Sequence, residues 1–426
     1  MLLIAVTFII FLMLGMPIAF TMGFPAIIYM IIYRPEWLTI VPSRIFSGID
    51  VFVFLAIPFF IMAGEVMLEF KITDRLIRFV DALVGHVRGG LAQVNVFDSM
   101  FFGGISGAAL ADIAALGSIV IPAMEKNGYP RKYAAALTAA TSIQGPIIPP
   151  SIIMVVYASI MGASVGAMFA AGLVPGILLG LSDCLIVAIQ SKRRGFPKRE
   201  TPFSLKELIT SFIKAVPALV IPAIIVSGIL GGVFTPTEAG AVTVFYGFFL
   251  GFFFLGGFHW QSLIRILKST MIKTATLFII VAFASLFSWV LAMENIPQAV
   301  GQFLLSWTNN KYTVLLIMNL VFLFMGTWLE TTASLILMGP IFAQILNGLG
   351  VHPLHYGIVM VLNLVIGLIT PPFGICLFAV SALSGCTVEE VSRECFPFIM
   401  VNIGVLFLIT YFPDLVLIVP RLLGLA

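Results

Sequence analysis

Charge is what this sequence has least of. Asp, Glu, Lys and Arg make up 10% of its 426 residues, where soluble globular chains carry about 25%, and 61% of its residues are hydrophobic, with a mean hydropathy of +1.15. One stretch, residues 134–182, runs for 49 positions with no charged residue. Several such runs exceed the roughly 20 apolar residues that span a hydrocarbon core. A soluble globular chain is excluded, and the expected class is an all-α polytopic membrane protein. Cysteine is nearly as rare. Cys184, Cys376, Cys386 and Cys395 show no CxxC or Cys/His metal spacing, so they read as apolar fillers or reduced thiols. The sequence has no GxxxxGK[ST], GxSxG or HExxH pattern, hence no ATPase, hydrolase or zinc-protease signature. His352 and His355 have a metal-like spacing, but "VHPLH" falls in an expected short loop without a third ligand. No enzyme activity and no cofactor are expected.

What the chain does have is a series of apolar runs. Membrane-crossing segments are expected near 2–32, 51–69, 134–160, 164–190, 215–233, 236–258, 274–292, 355–383 and 397–419. The apolar N-terminus lacks a basic n-region and is too long for a signal peptide, so it reads as a retained membrane helix. Residues 91–122 and 313–346 differ, because each is interrupted by small residues ("GGISGAALAD", "GTWLETTAS"). Arms of roughly 10–15 residues suit a re-entrant hairpin. The linker 191–214 holds seven basic residues, and 18 of the 22 Lys and Arg fall on its side of the expected topology. Basic loops face the cytoplasm, which places the N-terminus inside and the C-terminus outside. The same distribution argues against nucleic-acid binding. Residues 71–90 alternate charge with Leu76, Ile77, Val80, Leu83 and Val84, the pattern of an amphipathic interfacial helix or of a solvated loop helix.

Proline and glycine sit where a spanning helix can least accept them. "GPIIPP" at 145–150 recurs as "GLITPP" at 367–372, with a shift of 222. The two interrupted hairpins align at a shift of 218, pairing Asp112 with Glu330, Ala115 with Ala333 and Pro122 with Pro340. On the expected topology the two copies enter from opposite sides. They form inverted repeats: 1–190 (scaffold 1–90, hairpin 91–122, broken helix 134–160) and 234–426 (scaffold 236–311, hairpin 313–346, broken helix 355–383). A basic linker and connecting helix, 191–233, join them. Paired Gly/Pro breaks in inverted halves point to a transport site. Each proline removes a helical donor and clashes with the carbonyl four residues back. The orphaned carbonyls must be buried in protein, hydrated or liganded. Carbonyl oxygens suit a hard cation such as Na⁺, and half-helix N-termini suit an anionic substrate. Asp112 and Glu330, just past the hairpin tips, are expected to orient the tip or face a cation, or else to cap a helix or meet water. Glu238 reads as a cap, Glu65 as structural or inter-subunit, and Asp183 lies in an apolar run.

The segments "FFGGISGAALADIAALGSIVIPAM", "TSIQGPIIPPSI", "GTWLETTASLILMGPIF" and "NLVIGLITPPFGICLF" closely resemble the large membrane subunit of tripartite ATP-independent periplasmic (TRAP) transporters, over essentially the whole chain. The resemblance implies a multi-pass elevator-type carrier of the bacterial inner membrane, driven by a Na⁺ gradient and taking up an organic acid, either sialic acid or a C4-dicarboxylate. It implies two partners, a small four-helix membrane subunit on a separate polypeptide and a periplasmic substrate-binding protein. It places one cation site at Ser106, Gly107 and Ala108 with Gln144, Gly145 and Pro146, and Asp112 beside it. A second falls at Gly326, Thr327, Glu330, Thr331 and Thr332 with Thr370 and Pro371. The substrate would lie near Ser106, Thr332 and Asn363. Competing expectations are a binding-protein-independent Na⁺/dicarboxylate symporter of similar architecture, a passive channel, and a structural membrane subunit.

Overall fold

The computed structural model describes residues 2–198, 203–254 and 259–426. These residues are almost all helical; the β-type pairing among them is an isolated bridge between Arg88 and Lys198. Among the described residues, eight helices are long and apolar enough to cross a membrane. Residues 199–202 of the basic linker and 255–258 of the expected 236–258 span lie outside the described residues.

Several boundaries differ from expectation, each for a local reason. The stretch 2–32 forms two helices, Leu2–Met13 and Ile18–Tyr33. Gly15 adopts the left-handed conformation (φ +73°) and Pro17 lacks an amide, so the first helix ends at Met13 and the next begins only at Ile18. The two pieces pack together, with the Phe11 and Phe24 rings 6.3 Å apart. Helices Leu205–Leu230 and Trp260–Met293 begin well before the expected 215 and 274. Ser204 caps the first by accepting the Glu207 amide at 3.3 Å. In the second, Arg265 pairs with Glu69 and Lys273 with Glu65, both on helix Phe52–Glu69. Glu65 is therefore used within the chain. Helix Thr73–Val84 is amphipathic, but its apolar face rests on protein: Leu76 joins a cluster with Ala215, Ala218 and Ile221.

Both interrupted segments are helix–turn–helix units with longer arms than their small residues suggested. The first runs Gly90–Ser106, then Ala109–Asp112, a wide π-type turn Ile113–Gly117, and Ser118–Lys126. The second runs Lys311–Trp328 and Thr331–Gly348, 18 residues each. At 1.5 Å per residue those arms are about 27 Å long, close to a hydrocarbon thickness. Glycines inside the first arms, Gly103, Gly104 and Gly326, lie within continuous helix and are crossed closely by other backbone.

The broken helices form the axis of the core. Every residue of Tyr133–Ser142 and of Leu354–Gly367 is buried, as befits helices enclosed on all sides. Ion pairs that reach far along the chain fall into two sets. Arg34–Glu294, Glu69–Arg265 and Glu65–Lys273 tie together helices of 18–69 and 260–294. Glu394 pairs with Arg194 at 2.6 Å and Lys132 at 3.7 Å, tying the first broken helix to helices Val165–Arg194 and Val388–Tyr411.

Candidate functional site at two broken helices

Each break is made the same way. Helix Arg131–Ser142 stops, residues 143–151 run irregularly, and Ile152–Met161 resumes behind the Ser151 cap. Helix Pro353–Gly367 stops, and Ile375–Ser384 resumes after Gly374. Both Pro-Pro bonds, 149–150 and 371–372, are cis. The hairpins lie on these breaks through glycine. A Cβ at Gly103 would stand 2.6 Å from the Gly145 Cα, and one at Gly107 2.7 Å from the Pro150 carbonyl oxygen. A Cβ at Gly367 would stand 2.5 Å from the Gly326 Cα. Backbone thus meets backbone at both crossings, which only glycine permits.

Close approach leaves carbonyls unpaired. The carbonyls of Gly145, Ile147, Ile148, Pro149 and Pro150 accept no hydrogen bond from the described residues, nor do those of Ile369, Thr370, Pro371 and Pro372. The buried Ser106 hydroxyl and Gln144 Oε1 likewise lack a partner. An oxygen-only donor set fits a hard cation. Pro146 is an exception, since its carbonyl already accepts the Ser151 hydroxyl at 2.5 Å. In the second half, Thr327 and Thr370 donate their hydroxyls to Phe324 and Ile366 carbonyls, both at 2.8 Å, which leaves their lone pairs outward. The breaks differ in exposure. The first is buried apart from a half-buried Ile148, whereas Pro371, Pro372 and Phe373 are exposed and Gly374 offers no side-chain cap.

Asp112 and Glu330 are not equivalent. Glu330 is the N-cap of its arm, accepting the Ala333 amide at 2.9 Å and the Thr331 hydroxyl at 3.1 Å. The residue at that position in the first hairpin is Ala108. The helix starts therefore align at 222, the shift of the proline breaks, and not at 218. Asp112 is fully buried in the turn beyond the tip. It accepts the Ser99 hydroxyl at 2.8 Å through one oxygen, and the other has no partner. Equal spacing to a downstream proline misled the alignment, because the π-type turn separates tip from proline in the first hairpin alone.

The three expected substrate residues sit in different local settings. Ser106 lies against Gly64 of helix Phe52–Glu69, whose added Cβ would meet the Ser106 Cα at 3.5 Å. Thr332 is buried in the first turn of its arm. Asn363 donates to Asn319 at 2.8 Å, and Asn319 to Thr410 at 3.0 Å. The first half has a parallel chain, in which Asn95 donates to Thr138 at 2.9 Å. Sequence reasoning gave Asp183 no role and passed over Asp98 and the partners of Asn363 in this polar ladder. Asp183 accepts the Gln144 amide at 2.8 Å. Asp98 is buried with both carboxyl oxygens unpartnered. A signal existed in "AQVNVFDS", where Asn95, Asp98 and Ser99 share one helical face of an otherwise apolar arm.

Residues 5–415 match the family described as "Tripartite ATP-independent periplasmic transporter, DctM component". The chain is 36% identical to the sialic acid TRAP transporter large permease protein SiaM of Vibrio cholerae, covering 96% of this chain and 95% of that one. It is 37% identical to the C4-dicarboxylate TRAP transporter large permease protein DctM of Pseudomonas aeruginosa, covering 95% of each. Among solved structures, the Alcanivorax borkumensis YdaH transporter superposes with a TM-score of 0.61 at 14% identity, covering 89% of both chains, a likeness of fold.

Proposed function

The chain belongs to the DctM family of tripartite ATP-independent periplasmic transporters, and from that membership we propose that it carries an organic carboxylate into the cell, coupled to Na⁺. A soluble periplasmic binding protein delivers the substrate, and a small membrane subunit completes the complex in the inner membrane, with the N-terminus cytoplasmic. The observation that carries the coupling is the pair of breaks whose freed carbonyls lie under hairpin tips. Relatives of nearly equal identity bear sialic acid and C4-dicarboxylate names, so the carboxylate is the shared chemistry. The second break suits it better: it is exposed, and helix Ile375–Ser384, which has no side-chain cap, points its positive N-terminal end there. Transport follows as an elevator movement of the hairpins and broken helices against the helices of 18–69 and 205–294. The two ion-pair sets support this division, since none of the far-reaching pairs among the described residues bridges the two groups. The contact between groups includes small residues, such as Gly64 on Ser106, and the Ser288 hydroxyl donating to the Ile336 carbonyl at 3.1 Å, and no ion pair among the described residues crosses it.

The test is uptake of labelled carboxylate by proteoliposomes holding the complex with its binding protein. Collapse of the Na⁺ gradient is expected to abolish accumulation. Glu330→Gln keeps a cap acceptor for Ala333 but removes a charge, so its thermal midpoint should stay near wild type while the Na⁺ concentration for half-maximal uptake rises about tenfold, the equivalent of one weakened charge contact. Accumulation that ignores the Na⁺ gradient would sink the coupling.

A further inference from the structure

We propose that the cleft between helix Thr73–Val84 and the first turns of helix Leu205–Leu230 binds the headgroup of an anionic phospholipid. The cleft has a volume of about 720 Å³, within the range of small-ligand sites. Arg75 and Arg78, one turn apart, form one wall; Lys206 and Lys214, two turns apart on one helical face, form the other. None of these four cations takes part in an ion pair among the described residues. The acids of the cleft, Asp81 and Glu207, are each already engaged. Four cations facing one cavity repel one another until an anion enters, and a phosphodiester accepts a guanidinium and an ammonium together. Arg75 is held at the cleft by donating to the Lys214 carbonyl at 3.5 Å.

The surroundings select a lipid rather than free phosphate. Ile209, Phe212 and Ile213 on the same turns are exposed, which offers acyl chains an apolar flank directly beside the charged mouth. Basic pockets between membrane helices recognise acidic headgroups in this way. A bound headgroup would brace the helix that leads into the first hairpin against the connecting helix, beyond the contact that Leu76 makes with Ala215 and Ala218.

The experiment is native mass spectrometry of the delipidated full chain, titrated with phosphatidylglycerol, with phosphatidylcholine, or with inorganic phosphate alone. One phosphatidylglycerol should bind roughly tenfold more tightly than phosphatidylcholine, and Arg78→Gln with Lys206→Gln should erase that preference, from the contribution of each basic group near an acidic headgroup. Arg78→Lys with Lys206→Arg should retain it. Lys126→Gln with Lys192→Gln, two exposed cations outside the cleft, should leave it unchanged, and thermal midpoints check that each variant is folded. Equal binding of both lipids overturns the proposal, as does an equal loss in the Lys126/Lys192 control. Displacement by inorganic phosphate at the lipid's own concentration, or loss of the bound lipid when the small subunit is added, overturns it as well.

Discussion

Gly367→Ala is expected to abolish carboxylate uptake and to lower the thermal midpoint of the purified protein. The added methyl would sit 2.4 Å from the Gly326 carbonyl carbon, 2.5 Å from its Cα and 2.8 Å from its oxygen. Those atoms are backbone of the second hairpin arm and cannot swing aside as the end of a side chain can. The helices must separate, and overpacking of this kind costs about 1–3 kcal/mol. Function suffers more than stability. The unpaired carbonyls of residues 369–372 follow directly on Gly367, and a displacement of about 1 Å in a positioned site can cost 10²-fold in rate. Gly103→Ala should behave alike, since its methyl would meet Gly145 at 2.6 Å. Gly404, in helix Val388–Tyr411, has nothing within 4 Å of a built Cβ. Gly404→Ala should keep full uptake and gain up to about 1 kcal/mol of helix stability. Melting curves in nanodiscs alongside proteoliposome uptake separate the three; wild-type uptake by Gly367→Ala would show that the crossing is loose.

The glycine crossings also show which features could be read from the chain alone. The doublets Pro149–Pro150 and Pro371–Pro372 act through their own covalent structure, so "GPIIPP" and "GLITPP" announce broken helices in any context. Small residues at 103–108 likewise announce the hairpin tip, and long uncharged runs announce the helical membrane class. Features that depend on a distant partner were not legible. Arg265 and Lys273 look like loop residues until Glu69 and Glu65 on another helix neutralise them. Asp112 and Glu330 look like counterparts until the turn at 113–117 sets them apart. Asn363, expected to face substrate, finds its partner in Asn319. Asp183 gains its role from Gln144, 39 positions earlier. Local rules specify where the backbone breaks, whereas side-chain pairing decides which polar groups remain free at the break.

That Gln144–Asp183 pair carries the second large effect. Gln144→Leu is expected to destabilise the protein by about 1–3 kcal/mol, the cost of leaving a buried hydrogen-bonding group without its partner. Asp183 is fully buried on helix Val165–Arg194, and its other carboxyl oxygen already lacks a partner. Loss of the Gln144 amide would leave both oxygens without a donor in a water-poor interior. Asp183→Asn should be far milder, because the Asn carbonyl still accepts from Gln144 Nε2 across the present 2.8 Å. Combining Gln144→Leu with Asp183→Leu removes both groups at once, and the double variant should be more stable than Gln144→Leu alone, because no polar atom is stranded. Thermal or chemical unfolding of the wild type, Gln144→Leu, Asp183→Leu and the double variant gives the cycle. Simple additivity would mean that the two side chains do not sense each other, and Asp183 would then have to be placed outside the structure that holds the first break in shape.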